Sequence, residues 1–361
     1  SYRRDGSSGF AKNAKWGNFG SIGAAWVISK EKFIMNEKIN LLKLNITYGV
    51  AGNSKFGSQD ALGLYTYSDS YNYMNQLGAV MSGTPNAFLS WENVYTTNLG
   101  FDFWYHNKLK IRLDAYNKIT KGAISQLDIS RTSGSTRVYR NYGDIQNKGI
   151  ELNINYFIIR NDVWSWNINI NAAHNSNKLM KLFNGLSKTN GNYLYQEGKD
   201  MNTFYLIDWA GVDPRDGAPL WYDANGNLTR VYNINNRVLG KSSNAVVNGG
   251  LSTTIGYKKI LLSALFTYRV GGYEFSTFGR NVNSDGLNIM TQNQSINQID
   301  RWQQPGDVAS NPKPIWGTST SSTMNSTRYL FNATNVRLKN LALSYNYSGK
   351  GLERLKVNST S

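Results

Sequence analysis

Residues 142–175 read YGDIQNKGIELNINYFIIRNDVWSWNININAAHN. In the first half Ile150, Leu152, Ile154, Tyr156 and Ile158 fall on one side, with Gly149, Glu151, Asn153 and Asn155 between them. A period of two is that of a β-strand with one apolar and one polar face. After Arg160-Asn161-Asp162 the alternation returns, with Trp164, Trp166, Ile168, Ile170 and Ala172 against Ser165, Asn167, Asn169 and Asn171. The spacing predicts a long antiparallel hairpin. Its apolar face carries aromatics beside the turn and aliphatics further along, while the other face is nearly all Asn and Ser. That order is expected of a lipid-facing band with an aromatic girdle over a wet interior.

The same pattern recurs on either side. Ile22, Ala24, Trp26 and Ile28 form one alternating series, broken at Ser29-Lys30-Glu31-Lys32, where a short connection begins. Leu42, Leu44, Ile46, Tyr48 and Val50 form the next, against Lys43, Asn45, Thr47 and Gly49. A second hairpin sets Tyr95, Leu99, Phe101, Phe103 and Tyr105 against Asn98, Gly100 and Asp102, and turns at His106-Asn107-Lys108. It returns through Leu109, Ile111, Leu113 and Ala115 against Lys110, Arg112, Asp114 and Lys118; charges on that inner face require it to be wet. A third runs from Val247, Leu251, Ile255 and Tyr257 through Lys258-Lys259 to Ile260, Leu262, Ala264, Phe266, Tyr268 and Val270. The last complete strand holds Leu341, Leu343, Tyr345 and Tyr347.

Long loops are expected at 51–91, 120–141, 178–245 and 272–335, so short turns alternate with connections of roughly 20 to 70 residues. Outer-membrane barrels have this asymmetry, with short periplasmic turns and long extracellular loops, whereas a β-sandwich has short connections at both ends. Trp104, Tyr105, Tyr156, Trp164, Trp166 and Tyr257 gather at the short turns and mark the periplasmic interface. The expected fold is all-β, an antiparallel transmembrane β-barrel.

Composition agrees. No apolar run in the 361 residues approaches the length of a membrane-spanning helix. The negative mean hydropathy does not oppose a barrel, because only half of each strand need be apolar. With no Cys, disulfide and thiolate chemistry are excluded. The net charge of +16 is dispersed, without a helix-turn-helix or zinc spacing, which argues against nucleic acid and leaves an anionic membrane surface or lysine-rich loops. The chain opens on polar residues that read as the middle of a loop, without a signal peptide, and Asn358–Ser361 read as the start of another strand. A piece of something longer is expected.

A series of short motifs runs along the chain: Asp5-Gly6-Ser7-Ser8 with Phe10, Trp16-Gly17 with Phe19, Ala25-Trp26-Val27-Ile28-Ser29 with Glu31 and Phe33, Leu42-Lys43-Leu44, Tyr48-Gly49 and Gly52-Asn53. It continues with Asn147-Lys148-Gly149-Ile150-Glu151, Glu197-Gly198 with Phe204-Tyr205, and Ala210-Gly211-Val212-Asp213-Pro214 with Tyr222-Asp223. Arg301-Trp302 with Pro305-Gly306, and Arg337-Leu338-Lys339-Asn340 with Leu343 and Tyr345, complete the set. In order and spacing the set resembles the SusC/RagA-like TonB-dependent outer-membrane transporters of Bacteroidota. Gly20 stands where the family usually has Pro, and Asn45 where it has a basic residue. The resemblance implies a plugged barrel of about 22 strands, of which residues 1–361 supply about nine complete ones, with the N-terminal plug domain, the TonB box and the closing strands outside the chain. It further implies a SusD-like lipoprotein partner over the extracellular loops and TonB acting through the missing N-terminal region.

Candidate sites are few. His106 in a turn and His174 near the far end of a strand lack any triad order, zinc spacing or phosphate loop, so interfacial or lumen roles are expected and no catalytic residue is assigned. Asp213, Asp216 and Asp223 read as solvated loop carboxylates. Asp223-Ala224-Asn225-Gly226-Asn227 opens like a calcium loop but lacks Gly at the sixth position and Glu at the twelfth; an Asn-Gly turn explains it without a metal. No cofactor or metal is expected. Tyr65, Tyr67, Tyr71 and Tyr73, with Trp221 and Tyr222, are the candidates for substrate or partner contact, as amphipathic aromatics suit both, and packing of the loops on themselves is the competing explanation. The leading expectation is TonB-energised import of an oligomeric nutrient, a glycan or a peptide, breaking no bond in it. A structural or adhesive barrel anchoring surface proteins is the alternative, and an outer-membrane hydrolase is disfavoured by the histidines.

Overall fold

The computed structural model describes residues 1–10, 12–34, 36–54, 63–316 and 321–346; Tyr347 and residues 358–361, included in the strand expectations, lie outside them. The frame is one ten-stranded sheet: β1 (Tyr2–Gly6), β2 (Trp16–Val27), β3 (Ile39–Asn53), β4 (Glu92–Tyr105), β5 (Leu109–Asp128), β6 (Arg137–Arg160), β7 (Trp164–Leu182), β8 (Val247–Tyr257), β9 (Ile260–Val270) and β10 (Asn335–Tyr345). Every strand pairs antiparallel with its neighbours in sequence, which makes the sheet an up-and-down meander with β1 and β10 at its edges.

The register carries the two-face pattern across the strands. Leu42, Phe103, Ile111, Ile154, Ile170, Leu251 and Phe266 form one apolar row from β3 to β9. One residue over, Lys43, Asp102, Arg112, Asn153, Asn171 and Gly250 form a polar row on the other face. A residue slip would exchange the faces, so the apolar row fixes the register. Trp164 and Tyr257 are cross-strand partners whose ring centroids lie 4.4 Å apart at the short-turn end, and Ile260 and Tyr345 continue their row. No helix of the described residues is long and apolar enough to cross a membrane.

The structure departs from the sequence reading in four places. Tyr2–Gly6, read as loop, is a strand hydrogen-bonded to Trp16–Gly20; Tyr2-Arg3-Arg4-Asp5 has no apolar face and is held by backbone pairing, with the Tyr2 hydroxyl donating to Asn18 at 3.0 Å and the Arg4 guanidinium 5.2 Å from the Trp16 ring centroid. Residues 120–141, also read as loop, lie mostly in β5 and β6, whose connection is only 129–136. β6 has 24 residues, over twice the roughly 9–11 that span a bilayer. Beyond the bilayer neither face needs to be apolar, so the alternation stops while the ladder goes on. Two register shifts fall there, between Thr120 and Ile124, and Gly122 takes φ +65°. The Asp144 carboxylate accepts from its N–H at 2.9 Å, and Glu92 accepts from Ile124 N at 2.5 Å. Third, a bulge between Phe157 and Ile159 sets Ile159, not Ile158, opposite Trp166. Fourth, the loops at 51–91, 178–245 and 272–335 themselves contain paired strands, as described below.

The inner face is not uniformly wet. Phe10, Phe19, Leu89 and Trp91 form a buried cluster near the long-loop end, with Trp91 5.0 Å from Phe10 and 5.2 Å from Phe19 between ring centroids. A Cβ on Gly52 would sit 2.0 Å from the Phe19 ring, which accounts for glycine there. A second cluster, Tyr142, Leu179 and Leu182, braces the tall ends of β6 and β7.

Candidate functional site: the long-loop end and the inner wall

The connections 183–246 and 271–334 fold together into one lobe. The first contributes a three-stranded sheet, Trp209–Val212, Pro219–Tyr222 and Leu228–Thr229, and a four-stranded one, Lys188–Asn190, Tyr193–Tyr195, Thr203–Leu206 and Val238–Ser242. The second contributes the pair Tyr273–Phe275 and Leu330–Asn332 and a short helix, Thr277–Val282. Backbone and side chains tie them: Thr327 N donates to Ile207 O at 3.0 Å, Trp209 N to Thr327 Oγ1 at 2.9 Å, and the Tyr232 hydroxyl to Asn325 O at 3.0 Å.

Two motifs far apart in sequence meet in this lobe. The Pro214 carbonyl, closing Ala210-Gly211-Val212-Asp213-Pro214, accepts from the indole N–H of Trp302 at 3.0 Å and from Gly306 N at 2.8 Å. Gly217 makes the approach possible: its φ is +76°, and a Cβ would lie 2.6 Å from the Trp302 ring. Asp213, read as solvated, is buried. It accepts from Arg215 Nε at 3.0 Å and Nη2 at 2.8 Å, and from Arg230, which also reaches Asp216 at 2.7 Å. The Arg215 and Arg230 hydrogen bonds hold the Asp213 carboxyl well below the usual carboxylate range.

Deeper in, Arg328 pairs with buried Asp285, donating Nη2 to Oδ1 at 2.9 Å, with Ser322 and Asn311 completing the group. The guanidinium also lies 4.9 Å from the Trp209 ring centroid, so one residue engages both connections. Burial alone would lower the Arg328 pKa, but hydrogen bonding and charge attraction from Asp285 outweigh it and raise it. Burial pushes the Tyr329 phenol up to about 12, and its hydroxyl donates to Ser322 O at 3.0 Å. This network sets the lobe's shape; sequence reading missed it because nothing in the spacing of Asp285 and Arg328 marks them as partners.

The six candidate aromatics separate. Tyr65 and Tyr67 lie on the strand Leu64–Tyr67, paired with Ala79–Gly83, and Tyr71 and Tyr73 lie in the bend between; all four are 43–76% exposed. Tyr222 is 40% exposed on the lobe. Trp221, expected with it at the surface, is instead 1% exposed, held edge-on by Trp209 and Tyr232 at 5.8 and 5.7 Å. Alternation along Pro219–Tyr222 sends one ring inward and the next outward, so Trp221 supports the sheet that presents Tyr222. The structure does not place Tyr222 and the tyrosine hairpin in one cluster.

Asp223 accepts from Asn225 N at 2.9 Å, Asn227 N at 2.8 Å and Asn227 Nδ2 at 3.2 Å, in a turn with Gly226 at φ +84°. These bonds, the Asn227 backbone first, lower its pKa. The Asn-Gly turn thus uses the oxygens that a calcium ion would need. Among the described residues no three His, Asp or Glu side chains converge on a point that could hold a metal. His106 sits in its turn at φ +52°, and His174 Nδ1 lies 2.6 Å from Val246 O, opposite Ile150.

Below the lobe the inner wall is polar and cross-linked. Arg112 pairs with Asp114 at 2.8 Å, Tyr116 donates to Asn175 at 3.0 Å, and Asn155 pairs with Asn167 and Asn169 with Asn153 across the hairpin. Such a wall is compatible with water and not with lipid.

Residues 1–283 match the family described as TonB dependent receptor-like, beta-barrel. The TonB-dependent receptor P39 of Formosa agariphila is 27% identical over 98% of this chain and 39% of its own length. The TonB-dependent receptor SusC of Bacteroides thetaiotaomicron is 26% identical over 96% and 36%. The solved structure of the RagAB peptide transporter superposes with a TM-score of 0.85 at 28% identity, covering 97% of this chain and 39% of that one. The chain spans about two-fifths of the length of these relatives, which are named as receptors and transporters, not as enzymes. An apolar outer row, a polar inner row, short turns at one end and a folded lobe at the other are thus the features of a known wall: the chain belongs to the TonB-dependent receptor β-barrel family of the outer membrane, in its SusC/RagA-like branch.

Proposed function

We propose that this chain forms part of the barrel of an outer-membrane importer for an oligomeric nutrient, a glycan or a peptide, driven through TonB and working with a SusD-like surface lipoprotein. The observation that carries the reading is the folded lobe standing over a polar inner wall: an ordered extracellular surface above a hydrated interior. An anchor for surface proteins has no use for such an interior, which favours import. In this reading the sheet is one section of a closed barrel, completed by strands and a plug domain from outside residues 1–361, since two open edges in lipid would leave backbone groups unsatisfied. The barrel conducts its substrate without breaking a bond in it. Tyr65, Tyr67, Tyr71, Tyr73 and Tyr222 are the proposed contacts to substrate or lipoprotein, with Trp221 as the support of Tyr222.

The test is affinity purification of the protein in mild detergent from cells grown on a nutrient that it takes up. A lipoprotein should co-purify in near-equal amount, and removing the hairpin Leu64–Gly83 should weaken that association or slow uptake. Recovery of the barrel alone, with uptake intact after deletion of the lipoprotein gene, would refute the partnered reading.

A further inference from the structure

The lipid-facing side of the sheet carries a groove of about 630 Å³ at the short-turn end of β4 to β7. Leu109, Ile154, Ile168 and Ile170 line its length, and Tyr105, His106, Lys108 and Tyr156 stand at its mouth. The register places Leu109, Tyr156 and Ile168 in one row, with Ile154 and Ile170 one row nearer the bilayer middle. The groove is therefore apolar along the membrane-facing part and polar at the rim.

The rim is held by backbone. His106 N donates to Lys38 O, and Phe157 N donates to Lys108 O at 2.9 Å, so the turn is fixed, and His106 and Lys108 are both among the residues that line the groove. Among the described residues no carboxylate pairs with either, and the hydroxyls of Tyr105 and Tyr156 have no protein partner. The surrounding turns add Lys30, Lys32, Lys38, Arg160, Lys258 and Lys259 against Glu31, Glu37 and Asp162. The field at the mouth is positive.

We propose that this groove is a selective site for an acidic glycerophospholipid, with an acyl chain along Ile154 and Ile170 and the headgroup phosphate at Lys108, assisted by His106 and the two phenols. An acyl chain satisfies the trough, and a phosphate satisfies the unpaired donors at its end. A zwitterionic headgroup brings an ammonium of its own into the same positive field, whereas an acidic one does not. Each lysine near a membrane surface favours an anionic lipid by about fivefold in occupancy.

The test uses the protein extracted from outer membranes and placed in nanodiscs of phosphatidylethanolamine containing a minor fraction of phosphatidylglycerol, with retained lipids counted by native mass spectrometry. Both leaflets then have one composition, so the outcome does not depend on which end of the barrel faces the periplasm or on what the barrel imports. Phosphatidylglycerol should be enriched about fivefold over the bulk ratio. Lys108→Glu, in an exposed turn that leaves the sheet intact, should abolish the enrichment, Lys108→Arg should keep it, and Ile154→Trp, which fills the trough, should reduce it. Lys258→Glu, on the same rim but outside the groove, weakens only the common field and should lower the enrichment far less than Lys108→Glu. No enrichment in the unaltered protein, enrichment that survives Lys108→Glu, or equal loss with Lys258→Glu would overturn the site, the last by showing a diffuse charge effect.

Discussion

The indole N–H of Trp302 donates to the Pro214 carbonyl at 3.0 Å, closing a contact between chain segments on opposite sides of the β8–β9 hairpin. Trp302 is buried, and its ring lies against Gly217. Trp302→Ala should therefore cost about 3–5 kcal/mol within the lobe, while Trp302→Phe, which keeps most of the ring, should cost about 0.5–1.5 kcal/mol for the hydrogen bond. Gly217→Val should resemble the alanine variant, because a Cβ meets the ring and the backbone there is left-handed. Limited proteolysis reads the effect: cleavage within 183–334 should rise while the heat-modifiable barrel band persists.

The lobe should tolerate mild acid and fail at both extremes of pH. Asp213 has its folded pKa depressed by Arg215 and Arg230, so it stabilises the fold above the ordinary Asp value of about 3.9, and that contribution disappears as pH falls through the lower folded value. Tyr329 is shifted the other way, to about 12; its contribution is complete below the ordinary value of about 10 and is lost as pH rises from there through 12. Tryptophan fluorescence of the lobe against pH should be flat between these limits. Asp213→Asn should remove the acid transition and Tyr329→Phe the alkaline one.

Arg placed at Leu113, Ile154 or Ile168 on the apolar rows should reduce folded barrel in outer membranes, at about 2–4 kcal/mol near the bilayer middle. Arg at Asn153 or Asn169, on the inner rows, should be tolerated. Similar damage on both faces would defeat the assignment of lipid and lumen sides.

Epitope tags should separate the two ends. Insertions near Asn75, Asn225 or Gln292 should be labelled by antibody on intact cells, and insertions at Asn107 or Asn161 should not. The reverse pattern would invert the orientation inferred from the turn lengths.

How much of this was legible in the sequence depended on whether lipid imposed a pattern. From Ile150 to Ala172 one face must be apolar, and the alternation gave the hairpin, its faces and its girdle. The ladder above Thr120 and Gln146, and the strand Tyr2–Gly6, obey no such demand, so their pairing left no period to read. Ile158 misled because a bulge adds one residue without altering composition. Inside the connections, Asp285 with Arg328 and Pro214 with Trp302 are joined by tertiary contacts over long separations, which no local spacing encodes. Trp221 and Tyr222 looked alike as neighbouring aromatics, although strand alternation alone sets one inside and the other outside.

The lobe also acts on the sheet beneath it. One of its halves leaves from β7 and returns to β8, and the other leaves from β9 and returns to β10. Each bond between the halves therefore spans the outer ends of four consecutive strands, as a clasp spans the staves of a cask. Drawing the long-loop ends of β7 and β10 apart would therefore require breaking the bonds that join the two halves.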